Sequence, residues 1–233
     1  MMKKIVNKIK KWHISDTHTF HELLEIPEGI DMVIHSGDCS NPRDPYNNEP
    51  EVRRFIDWFG GLPIKHKIFV AGNHDTSIER GLVTKDDFSK NGIHYLENTS
   101  VEIEGLNIFG SPYTPMFGNW AFMKARPKLD RVWNNAIPDD SDIVVVHGPP
   151  KGILDLSYDR NGRLEFCGDK SLMNKLKIVE PKFMMFGHIH NNEDIVNTGT
   201  RKVYGLDTIF SNGSVVTDRK FGKLTSQGNI FEI

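Results

Sequence analysis

Two cysteines in 233 residues, Cys39 and Cys167, are too few for a disulfide-stapled fold and leave no second pair for a zinc ribbon. No apolar run is longer than a strand, which excludes a membrane-spanning helix. No apolar segment follows the basic start (Lys3, Lys4, Lys8, Lys10, Lys11), so a secretory leader is not expected and that stretch reads as a solvated edge entering the first strand. Neither sign of charge prevails: 29 Lys and Arg against 31 Asp and Glu give a net charge of -2, no field to draw a nucleic acid polymer or an anionic membrane. Internal repeats, linkers and low-complexity stretches are also missing. These absences leave one reduced, cytoplasmic domain over 1–233, long enough to bury its own core, with oligomeric state open.

What is present is a construction made five times. Ile68 to Ala71 is a short apolar, β-branched run that stops at Gly72, and Asn73, His74 and Asp75 follow. Trp12 to Ser15 leads to Asp16 and His18, and Met32 to Ser36 leads to Gly37-Asp38. Ile143 to Val146 leads to His147-Gly148-Pro149-Pro150, and Phe183 to Phe186 leads to Gly187-His188-Ile189-His190. Continuous apolar runs of this length suit strands buried on both faces, and polar groups at their carboxyl ends stand where α/β proteins build sites. Asp16 and His18 are two apart, as are His188 and His190, so each pair can face one cluster from extended backbone. Carboxylate oxygen mixed with imidazole nitrogen, without thiolate, suits Mn, Fe, Zn or related divalent ions. Asp38, alone after its Gly-Asp turn, is the candidate to bridge two of them.

Between these strands the spacing predicts helices. Val52, Phe55, Ile56 and Phe59 form one apolar stripe, with Pro50 expected in the first turn and Gly60-Gly61 at the end. Leu129, Val132, Trp133 and Ala136 form a second. Leu172, Met173, Leu176 and Val179 form a third, with Asp169 as N-cap and Pro181 beyond its end. Lys151 to Gly168 reads as a long loop, and Gly110 to Trp120 as an aromatic one.

The ordered motifs resemble those of the calcineurin-like metallophosphoesterases, whose signature is D-x-H, G-D, G-N-H-[D/E], H and G-H-x-H; each element stands here unbroken. Gly110-Ser111-Pro112-Tyr113-Thr114-Pro115, His147-Gly148-Pro149-Pro150, Asn119-Trp120 and Gly152 to Asp155 are similar to the subgroup of brain-type metallophosphoesterase-domain proteins and their bacterial relatives. The resemblance spans Trp12 to about Gly213. It implies an α/β fold, a four-layer α/β/β/α sandwich with two divalent metal ions, most often manganese, at the strand ends. It places Asp16, His18, Asp38 and His190 on one ion, and Asp38, Asn73, His147 and His188 on the other. His74 would act on the phosphate, oriented by Asp75, while a shared hydroxide attacks phosphorus. Some relatives carry glycine where His188 stands and are weak enzymes; the histidine here implies full occupancy.

Two departures stand out. Phe166 stands before Cys167-Gly168 where the family has glycine, so a differently shaped loop is expected there. Gly37-Asp38-Cys39-Ser40 lacks the V-D-R-G of Ser/Thr protein phosphatases, which speaks against a phosphoprotein. The expected substrate is a small phosphoester, with His21, Tyr113, Trp120 and Arg43 as candidate contacts and Arg160 as a further cation. A nucleobase could stack on the aromatic loop. No Lys or Arg is built into the motifs, which favours diesters, cyclic nucleotides first, over monoesters. A metal-free binding scaffold and a nuclease are the competing classes; intact ligand motifs oppose the first, and neutral charge and short length the second.

Overall fold

The computed structural model describes residues 8–217 and 222–232. The chain runs β1 (Lys10–Ile14), a 3-10 turn (Phe20–Leu23), β2 (Met32–His35), α1 (Pro45–Gly61), β3 (His66–Phe69), α2 (Thr76–Glu79), α3 (Lys85–Ser89) and β4 (Ile93–Tyr95). It continues with β5 (Thr99–Ile103), β6 (Leu106–Ser111), β7 (Thr114–Pro115), β8 (Met123–Lys124), α4 (Arg126–Ala136), β9 (Ile143–Val146), β10 (Leu156–Tyr158) and β11 (Leu164–Phe166). Last come α5 (Lys170–Val179), β12 (Phe183–Phe186), β13 (Gly199–Val203), β14 (Leu206–Asn212) and β15 (Asn229–Glu232).

Two mixed sheets form the centre. The first has the order β15-β1-β2-β3-β4, parallel from β1 to β4 with β15 antiparallel at its edge. The second has the order β13-β14-β12-β9-β6-β5, parallel from β14 to β6 with antiparallel strands on both rims. Successive residues on a strand point to opposite faces, and both faces here are covered. Met32, Ile34, Ile68, Ile108, Val145 and Met185 meet between the sheets. Val33 and Phe69 face outward onto Phe55 and Phe59 of α1. Val144, Met184 and Phe210 face outward onto Leu129 and Trp133 of α4 and Leu172 and Leu176 of α5. The result is the α/β/β/α order. Truncating a fully buried ring such as Phe55 or Phe59 costs about 3–5 kcal/mol in cores of this kind.

Helix ends follow their caps. The Asp169 side chain accepts from Leu172 N at 2.7 Å, and α5 stops at Glu180, in the left-handed region at φ 46°, just before Pro181. Helix α1 corrects the sequence reading: it starts at Pro45, with Asp44 accepting from Asn47 N, and Pro50 lies inside it. The Asp44-Pro45 pair is a complete start signal, an acceptor followed by a residue with no N–H to satisfy. Lys11 is also corrected. It is buried rather than solvated, its Nζ donates to Ile9 O at 3.0 Å, and burial lowers it to about 8. Lys3 and Lys4 lie outside the described residues. Among the described residues no helix is long and apolar enough to cross a membrane.

Candidate metal centre

The parallel strands of both sheets end at one edge. From β1 come Asp16 and His18, from β2 Asp38 and from β3 Asn73; β9 supplies His147, and β12 supplies His188 and His190. The backbone there is bent to aim side chains. Asp16 (φ 51°), His18 (φ 41°), Asp38 (φ 58°) and His188 (φ 70°) are non-glycine residues in the left-handed region, at about 1–3 kcal/mol each. Bonds between the loops hold them there: Asp16 N donates to Gly37 O at 2.8 Å, and His18 N to Asp38 O at 3.1 Å. Two glycines are required by close approach. A Cβ on Gly187 would overlap the Asp16 carboxylate, and one on Gly72 would overlap the Asp38 carboxylate and stand 2.7 Å from His147 Cε1.

The side chains fall into two groups, Asp16 with His18 and His190, and Asp38 with His147 and His188; within each, one donor atom per residue lies within 4.8 Å of the others. Asp38 Oδ2 stands between the groups, 3.3 Å from His147 Nε2 and 3.9 Å from His18 Nε2. Asn73 Oδ1 lies 3.1 Å from His147 Nε2, so the carboxamide joins the second group. His147 Nδ1 meets Ser36 O at 2.8 Å, and His18 Nδ1 meets Ser40 O at 3.1 Å. Each carbonyl claims the Nδ1 proton and turns Nε2 inward, the tautomer an imidazole ligand needs.

Charge is poised for cations. Burial alone would raise Asp16 and Asp38, yet the imidazoles around them, His190 for Asp16 and His147 for Asp38, hold both carboxyls well below the usual range. Burial pushes His18 down to about 4 and His188 down to about 3, so both are neutral ligands near pH 7. Burial also opposes charge on His147, but Asp38 prevails and raises it to about 9. An ion entering beside His147 would therefore displace a proton, and its affinity would rise with pH. This donor set, with inward nitrogens and two buried carboxylates, fits divalent ions.

Asp75 needs correction. Its carboxylate does not touch His74; it accepts from Gly72 N (2.7 Å), Asp38 N and Cys39 N (both 3.0 Å), Cys39 Sγ (3.2 Å) and Ser40 Oγ (2.8 Å). It therefore shapes the Asp38 turn. The His74 ring is held instead through Nδ1 on Asn41 O at 3.1 Å, its backbone N donates to Asp38 Oδ1 at 2.7 Å, and Asn48 Nδ2 binds its carbonyl at 2.8 Å. Replacing Asp75 by alanine strands three buried backbone donors, at about 1–3 kcal/mol apiece. Denaturant titration of the metal-free Asp75→Ala protein is expected to show a loss of several kcal/mol; a loss within error would remove this role.

The proposed substrate contacts are mostly corrected too. His21 is buried against Phe55 and Trp58, at centroid distances of 5.4 and 5.0 Å, away from the site. Tyr113 packs between the apolar clusters with Lys124 Nζ 4.0 Å over its ring. Arg43 donates to Asn119 O, and Trp120 packs on His74. None of these four lines the cavity of about 690 Å³ that opens above Asp38, Asn73, His74, His188 and His190. Its far wall is Phe117 together with the β10–β11 hairpin, which contributes Tyr158, Arg160 and Phe166. That hairpin replaces the expected loop. Asn161-Gly162, flanked by Leu-Ser-Tyr and Leu-Glu-Phe, was the signal for it. Ser214, whose hydroxyl donates to Asp16 Oδ2 at 2.7 Å, braces the carboxylate of the first group.

Comparison with known proteins agrees with this geometry. The Calcineurin-like phosphoesterase family pattern matches residues 9–192. The chain is similar to the human Metallophosphoesterase domain-containing protein 1, 33% identical over 228 residues, covering 88% of this chain and 65% of that protein. It is similar also to a UPF0046 protein of Caenorhabditis elegans, 36% identical over 211 residues, covering 83% of this chain and 73% of that one. The chain thus spans just under two thirds of the human relative's length. One solved crystal structure superposes with a TM-score of 0.63 at 16% identity, covering 97% of this chain and 99% of its own, a likeness of fold alone. On the ordered motifs, their geometry and these matches, the chain belongs to the calcineurin-like phosphoesterase family, whose members generally use a dinuclear divalent metal site.

Proposed function

We propose that the chain is a metal-dependent phosphoesterase acting on small phosphodiesters, cyclic nucleotides among them. The observation that carries this reading is the place of Asp38, whose Oδ2 lies within 3.9 Å of imidazole nitrogens from both groups beneath a nucleotide-sized cavity. Asp16, His18, Asp38 and His190 would hold one ion; Asp38, Asn73, His147 and His188 would hold the other. Manganese is the ion proposed, on the family resemblance rather than on the donors; iron, zinc, nickel and cobalt are also compatible with mixed carboxylate and imidazole ligands. When bound, such a pair supplies Lewis acidity toward the phosphate and an acidified water.

The chain's own groups do the rest. Held through Nδ1 on Asn41 O, a His74 imidazolium would give its Nε2 proton to the leaving oxygen as that oxygen's bond to phosphorus breaks and a hydroxide attacks from the other side. The neutral imidazole would then regain from solvent the proton released when the hydroxide formed. Phe117, Tyr158 and Phe166 offer an apolar wall to the ester group beyond phosphorus. Arg126, also at the cavity, is engaged by the carbonyls of Cys167 and Gly168. Arg160 at the rim favours a second reading, a phosphomonoesterase, since a monoester carries one more negative charge. A reduced, cytoplasmic setting is part of the proposal, supported by two unpaired cysteines.

Turnover of bis-p-nitrophenyl phosphate against p-nitrophenyl phosphate, by manganese-loaded and EDTA-stripped protein, tests this. The diester is expected to give the higher kcat/KM, and stripping to abolish both activities. A wide monoester advantage that disappears in Arg160→Ala would favour the second reading. No turnover with metal restored would leave only a binding scaffold.

A further inference from the structure

We infer that Trp120 and Arg43 are positioning residues for His74, and that the aromatic loop is a clamp on that imidazole rather than a platform for a base. The inference rests on the phosphoesterase reading for its catalytic consequence, and on geometry for the contact itself. The Trp120 and His74 rings lie 4.2 Å apart between centroids, tilted by 35°. The Arg43 guanidinium carbon stands 5.0 Å from the Trp120 ring, and its Nε donates to Asn119 O at 2.9 Å. Both anchors grow from neighbouring chain. Ala121 N donates to Asn73 O at 3.0 Å, tying the residue after Trp120 to the residue before His74. Asn41, two residues before Arg43, accepts from His74 Nδ1. The half-buried imidazole is thus fixed at its edge by the 41–43 loop and on its side by Trp120.

That arrangement does two things for a proton donor. It removes rotation of the ring about its bond to the chain, which leaves Nε2 aimed in one direction. It also withdraws Trp120 from the cavity, whose lining includes Phe117 but not Trp120. Arg43, stacked on the indole and bound to the Asn119 carbonyl, fastens the loop. A misplacement of about 1 Å in a catalytic group can lower a rate by about 10²-fold, so losing the clamp falls on kcat.

Metal-loaded Trp120→Ala is expected to lose roughly 10–100-fold in kcat toward 3′,5′-cyclic AMP, and less toward bis-p-nitrophenyl phosphate, whose p-nitrophenolate departs without a proton, with KM unchanged for both. Trp120→Phe, which restores a ring, is expected to recover most of the rate. In a His74→Ala background Trp120→Ala should change nothing further, because a residue that acts through His74 has nothing left to act on. Proton NMR supplies a readout free of turnover. The His74 ring protons, assigned by their disappearance in His74→Asn, should be displaced by the indole ring current and return to ordinary positions in Trp120→Ala. A KM increase confined to the nucleotide, or an undiminished Trp120→Ala loss in the His74→Ala background, would overturn the inference and make Trp120 a substrate contact. Unmoved ring protons would overturn it too. If no phosphoester is hydrolysed, the functional reading fails by itself while the NMR result still decides the contact.

Discussion

Asp38→Ala is expected to release both ions and lower kcat/KM by more than about 10³-fold, beyond the 10²–10³ that one charge-stabilising group supplies. Its Oδ2 lies 3.3 Å from His147 Nε2 of one group and 3.9 Å from His18 Nε2 of the other. Its loss also frees His74 N, which donates to Oδ1 at 2.7 Å. Asp16 meets His190 Nε2 of its own group at 3.0 Å and reaches the second group through the His188 backbone N rather than through a donor atom, so Asp16→Ala should leave the other ion in place. Elemental analysis of the purified variants separates these outcomes. Full metal content in Asp38→Ala would show that the bridge lies elsewhere.

The second large effect is at His74. His74→Ala should keep both ions, because its ring belongs to neither His/Asp group, while kcat falls by about 10²–10⁴-fold, the usual worth of a positioned acid or charge stabiliser. His74 lines the cavity, and its ring lies 4.8 Å from that of His18, close to the centre without joining it. A leaving group that departs without a proton, such as p-nitrophenolate, should recover part of the loss. Metal lost together with activity would make His74 a ligand.

Much of the centre was legible because its strands are buried on both faces. Met32 to His35 and Phe183 to Phe186 show no alternation, so each motif was bracketed by an apolar run and stood out. Their division between two sheets was not legible, since strand pairing is a contact between distant segments and leaves no local pattern. Asp75 shows the limit of adjacency. It follows His74 directly, yet its side chain turns the other way, into the Gly72 and Asp38 backbone, a choice made by two N–H groups of the Asp38 loop and one of its own. Tyr113 and Trp120 carried the composition of a binding surface, but one is covered by Lys124 and the apolar clusters and the other by His74. The cavity wall is the β10–β11 hairpin, which reads as loop because the Asn161-Gly162 turn and its short strands sit among polar neighbours.

Titration of metal-free protein with Mn²⁺ by calorimetry, with paramagnetic resonance on the same samples, tests the central claim most directly. Two sites per chain are expected, with spectra of an exchange-coupled pair in the wild type and neither ion retained in Asp38→Ala. A single site, or two ions with uncoupled spectra, would contradict a dinuclear centre bridged by Asp38.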